Sequence, residues 1–145
     1  MTIDKTRQII LSYFDNNKRF LVHNYDKKLI SNGNTFQIRP DDAFYFNDKV
    51  IIIEYENNLR PVESISKYFW LFTKTEWLKE NLRIILLLTV NNSRVEKNYK
   101  IRTESIQILG HELKKQYPKL FDFYFINYSD LKKEKLVGEL TKMTN

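Results

Sequence analysis

A chain of 145 residues, 42% of them hydrophobic, is long enough to close one sizeable core, and its lack of cysteine excludes a disulfide framework and thiolate metal sites. Three Gly and three Pro leave no room for a flexible linker, and no run approaches the roughly 18 apolar residues of a membrane span. The net charge of +6 favours polyanionic partners without selecting one. Met1-Thr2-Ile3-Asp4-Lys5 does not read as a secretory leader, so the expected compartment is the cytoplasm.

In chain order, residues 3–14 set Ile9, Ile10, Tyr13 and Phe14 on one side of a helix, with Thr2 or Asp4 as its cap. Phe20-Leu21-Val22 predicts a short strand, and the polar stretch 24–34, with Ser31-Asn32-Gly33-Asn34, a loop. Residues 36–46 and 49–56 are rich in β-forming side chains and meet at Asn47-Asp48, which predicts an antiparallel hairpin. Arg60-Pro61 opens a helix running to about residue 78. Its apolar residues, among them Ile65, Tyr68, Trp70, Leu71 and Trp77, cover more than one stripe, so it is buried on two sides or faces a partner subunit.

Residues 82–90 read as a central strand covered on both faces, and 91–98 as a loop. Ile106, Leu109, Leu113 and Tyr117 predict a helix over 99–117 that Pro118 closes. A strand at 121–126 and a helix at 131–143 complete the chain. This order predicts a single α/β domain over 1–145: a mixed central sheet, an antiparallel hairpin plus parallel strands, with helices on both faces.

Acids interrupt strands that otherwise favour burial. Glu54 and Glu56 are two apart and so project from one face, while Asp41 and Asp42 interrupt the other hairpin strand. Pairing about Asn47-Asp48 sets residues whose numbers sum to about 95 opposite one another, which brings Asp41 across from Glu54. Buried carboxylates need pairing or a cation, and a hard divalent ion accepts their oxygens well. The bland alternative is a solvated acidic face paired to Arg39 and Arg60, and a one-residue change of register would make Asp42 the ligand in place of Asp41.

Arg39-Pro40-Asp41, the hairpin, Ile53-Glu54-Tyr55-Glu56 and the following helix resemble the signature of the PD-(D/E)XK nucleases, over roughly residues 3–90. The resemblance implies a restriction-endonuclease-like core, with the helix, strand and helix of 98–143 as additions. It implies Mg²⁺ or Mn²⁺ held by Asp41 and Glu54, with Glu56, where most members have lysine, as a further ligand that orients or deprotonates the attacking water. Ser64 and Tyr68 take the spacing of a polar residue and a tyrosine on the helix after the motif, with Ser64 departing from the usual glutamine. Lys67 beside them is the candidate cation at the scissile phosphate. Arg39, Arg60, Ser64 and Tyr68 are then candidate DNA contacts, and the implied activity is metal-dependent DNA hydrolysis by a homodimer. A DNA-binding or accessory protein of a plasmid or other mobile element, with the same fold and no turnover, is the alternative.

Other features carry less. His23 and His111 lack metal-ligand spacing, and Trp70 with Trp77 reads as packing or a dimer contact in preference to a base-stacking platform. Lys114, Lys115, Lys119, Lys132, Lys133 and Lys135 form either a phosphate-tracking surface or a solvated one. No Gly-rich phosphate loop is present, so no nucleotide cofactor is expected.

Overall fold

A computed structural model describes residues 1–17, 21–56, 61–90, 99–128 and 131–145. Helix α1 spans Ile3–Asn16, and the Thr2 side chain accepts from the Lys5 N–H at 3.2 Å as its cap. The short strand after it, β1, is Val22–His23, slightly later than expected, and Phe20 lies outside the described residues. Within the predicted loop stands a small hairpin, β2 (Ile30–Ser31) and β3 (Asn34–Thr35). Asn32 and Gly33 at its tip have φ of 48° and 80°, the left-handed pair that a tight hairpin turn needs. The Glu80 carboxylate fastens this hairpin, accepting from Ser31 Oγ at 3.0 Å, Asn32 Nδ2 at 2.6 Å and Asn34 Nδ2 at 3.2 Å.

The main hairpin pairs β4 (Asp42–Phe46) with β5 (Lys49–Glu56) in the expected register, from Asp42 opposite Ile53 to Phe46 opposite Lys49. Strand β4 is shorter than the predicted 36–46. Pro40 has no N–H to offer a ladder, and the chain before it turns instead towards Leu29, whose N–H donates to the Ile38 carbonyl and whose carbonyl accepts from Phe36.

Helix α2 spans Pro61–Lys74, and a 3₁₀ turn follows at Glu76–Lys79, capped by Thr75. Trp77 on that turn is fully buried while Trp70 on α2 is 45% exposed, so the two indoles do not act as a pair. Strand β6 (Arg83–Val90), helix α3 (Tyr99–Gln116), strand β7 (Phe121–Asn127) and helix α4 (Lys133–Thr144) follow.

The five strands lie in the order β1-β4-β5-β6-β7, antiparallel from β1 to β5 and parallel from β5 to β7. The sheet grows in one direction through two helical crossovers, and crossovers of a single hand place both helices on one face. Accordingly Ile65, Tyr68 and Leu71 of α2 and Ile106 and Leu113 of α3 share a core with Val50, Ile52, Leu86 and Leu88. On the other face Ile10 and Phe14 of α1 and Leu136, Leu140 and Met143 of α4 pack on Phe44, Ile51, Ile53, Ile85 and Leu87. The molecule is thus an α/β mixed sheet with helices on both faces. Residues 98–143, expected as an addition, supply one strand of this sheet and one helix to each side.

Gly110 lets α3 approach the sheet closely, since a Cβ there would collide with the Phe123 ring. Among the described residues no helix is long and apolar enough to cross a membrane.

Candidate functional site

Alternation along β5 decides the site. Val50 and Ile52 face α2 and α3, so Glu54 and Glu56 continue on that side, while Ile51, Ile53 and Tyr55 face α1 and α4. On β4 Ala43 belongs to the α2 side and Phe44 to the α1 side, which separates the two neighbouring aspartates: Asp41 is on the side of Glu54, Asp42 on the other.

Asp41 stands just before β4. Its Oδ2 accepts from the Tyr55 N–H at 2.8 Å, taking the place of a backbone carbonyl where the ladder stops. Glu54 is 3% exposed. Its Oε1 accepts from the Tyr68 hydroxyl at 2.8 Å and is also ion-paired with Lys67 Nζ. The Ser64 hydroxyl donates to Glu56 Oε1. Ser64, Lys67 and Tyr68 are spaced three and four apart, one surface of α2, and that surface lies against the acids.

The electrostatics follow from burial. Desolvation, with a smaller push from the Asp41 charge, raises the Glu54 pKa from an ordinary 4.5 to about 7, against the opposing pull of Lys67 and the Tyr68 hydrogen bond. Glu56 is raised in the same way, by burial and then by the charges of Asp41 and Glu63, with Ser64 and Lys67 opposing. Burial, followed by the Glu54 charge, holds the Tyr68 phenol well above its usual range, so it stays a donor.

Six of the residues read from the sequence therefore come together: Asp41, Glu54, Glu56, Ser64, Lys67 and Tyr68. Tyr68 serves both as core and as hydrogen-bond donor. Arg39 is exposed, and Arg60 lies outside the described residues. The six lysines do not make one patch. Lys114, Lys115 and Lys119 lie around the end of α3 and the start of β7, whereas Lys132, Lys133 and Lys135 lie at the start of α4, past the far end of β7 and on the opposite face. Lys114 is moreover paired with Asp122 at 2.8 Å.

Asp42 has a different task. It is fully buried, accepts from Arg7 Nε and Nη2 at 2.9 and 3.0 Å, and meets His23 Nε2 at 2.9 Å. His23, read as incidental, also stacks on Phe44 at 4.6 Å between ring centroids. Arg7 went unread, although it had a signal: it falls on the stripe of Ile3, Ile10 and Phe14, where a charge requires a buried partner.

For a metal, the donor chemistry fits in kind, since carboxylate oxygens suit a hard divalent cation. Among the described residues, however, no three His, Cys, Asp or Glu side chains stand together as a finished cage. Each acid is tied to its own donor: Asp41 to a backbone N–H, Glu54 to Lys67 and Tyr68, Glu56 to Ser64. Asp41 and Glu54, whose charges act on each other, are the residues that would hold an ion, with Glu56 beside them. No protein-family model, curated protein or solved structure matches the chain.

Proposed function

We propose that the protein is a metal-dependent DNA endonuclease of the PD-(D/E)XK type. The observation that carries this reading is the convergence of Asp41, Glu54 and Lys67 at the carboxyl end of β5, with the Asp41 charge acting on both glutamates. Crevices at the carboxyl ends of parallel strands are where α/β sheets usually bind ligands.

Asp41 and Glu54 would hold Mg²⁺ or Mn²⁺, with Glu56 adjoining. Such an ion supplies polarisation of the phosphodiester and a water of lowered pKa. The chain's own groups do the rest. Glu56 accepts the proton of the attacking water, and Lys67 balances negative charge on the phosphate as it grows in the transition state. Tyr68 and Ser64 orient the two glutamates. A homodimer would place one such centre on each strand of a duplex.

The ties of Glu54 to Lys67 and of Glu56 to Ser64 favour one other reading, a DNA-binding accessory protein of a mobile element that keeps the fold without turnover. Supercoiled plasmid incubated with the protein and Mg²⁺ or Mn²⁺ separates the two. Open circles are expected, and chelation with EDTA should abolish them. Salt-sensitive binding with no nicking in either metal would select the accessory reading.

A further inference from the structure

Lys67 and a divalent cation would compete for the same carboxylate. Glu54 is 3% exposed, and a carboxylate so enclosed needs a counter-charge or a proton. Here Lys67 supplies the charge, through the same Oε1 that accepts from Tyr68. Of these two donors the phenol is fixed, because Tyr68 is fully buried in the core. The lysine is the movable one. Its side chain keeps 29% exposure and ends in an ammonium on a flexible four-carbon stem.

Resting on the nuclease reading above, we propose that Lys67 is the resident counter-ion of Glu54, that a divalent metal must displace it, and that displacement delivers the freed ammonium to the phosphodiester. An ammonium and a divalent ion bound to one carboxylate would repel each other strongly in so dry a place, so occupancy is exclusive. Once expelled, Lys67 remains on the face of α2 that borders the acids, beside Glu56, and an incoming phosphate oxygen is a second anion for it.

The test is Mn²⁺ affinity, read by paramagnetic resonance of the free ion and independent of any cleavage. It is done at about pH 8.5, where a proton competes little for a carboxylate. Lys67→Met is expected to bind Mn²⁺ about tenfold more tightly than the wild type, the scale of removing one close positive charge. Lys67→Gln repeats the test if the methionine variant does not fold. Lys74→Met, an exposed change two turns further along α2 with the same loss of charge, should leave the affinity within about twofold. If the wild type binds Mn²⁺ and the Lys67 variants bind no more tightly, or if Lys74→Met gains as much, the displacement idea is wrong and the metal centre stands. If neither the wild type nor the variants bind Mn²⁺, the metal centre fails and the displacement falls with it.

Discussion

Replacing Glu54 by glutamine is expected to lower metal-dependent cleavage a hundredfold or more, on the order of what losing one preorganised charged group costs a reaction. The fold should survive, because an amide carbonyl can still accept from the Tyr68 hydroxyl that now reaches Glu54 Oε1 at 2.8 Å. The same substitution has a signature in stability. The Glu54 carboxyl titrates at about 7 in the folded chain, against 4.5 ordinarily, so between these values the folded state holds a proton that the unfolded state has lost. Its contribution is fully present below pH 4.5 and disappears as the pH rises through about 7. A shift of this size amounts to about 3 kcal/mol. Urea midpoints of the wild type at about pH 5 and pH 8 should differ accordingly, while Glu54→Gln keeps only the smaller slope of the same sign left by Glu56. An equal slope in the variant would mean that Glu54 is not the buried acid responsible.

Asp42→Ala is expected to cost about 3 kcal/mol of folding stability, with no part in the chemistry. The carboxylate it deletes is fully buried and holds two nitrogens of Arg7 and one of His23. Breaking a buried ion pair from one side leaves the other charge stranded. Arg7 keeps 40% side-chain exposure and can turn towards water, which puts the loss at the lower end of the usual range for such a change. Adding Arg7→Met to Asp42→Ala should restore part of the loss, because the arginine is then no longer there to be stranded. Urea denaturation of the single and double variants reads both effects. Under conditions where Asp42→Ala remains folded, its cleavage rate should equal that of the wild type, whereas Asp41→Ala should lose it. The reverse pattern would move the site to the other face of the sheet.

The neighbouring aspartates show how far the sequence reaches. Strand alternation and the Asn47-Asp48 turn were enough to bring Asp41 towards Glu54, because a two-residue turn sets the register of everything beside it. Helix α2 carried its candidate residues legibly as well, since Ser64, Lys67 and Tyr68 share a surface wherever a helix forms there. What stayed hidden depended on tertiary placement. The partners of Asp42 come from α1 and β1, with Arg7 35 residues away and His23 19, and no local pattern joins them. The β2–β3 hairpin was obscured because its strands are two residues long and its anchor, Glu80, lies 46 to 49 residues further along the chain. Pro40 was the readable sign that the strand assigned to 36–46 had to begin after it.

Lysines that look alike in sequence also separate in space. Lys114 and Lys115 close α3 and Lys119 follows it, while Lys132, Lys133 and Lys135 open α4, yet the edge strand β7 runs the length of the sheet between the two groups and the helices pack on opposite faces. The candidate site lies at the carboxyl end of β5, level with the end of β7, so Lys132, Lys133 and Lys135 stand at its end of the sheet but on the opposite face, whereas Lys114, Lys115 and Lys119 share its face at the other end.

The decisive measurement is anomalous diffraction from a crystal soaked in Mn²⁺. A peak bridging the carboxylates of Asp41 and Glu54, with the Lys67 ammonium moved off Glu54, is the expected result. Saturating Mn²⁺ that leaves no density there, with Lys67 still paired to Glu54, would contradict a metal-dependent nuclease built on these acids.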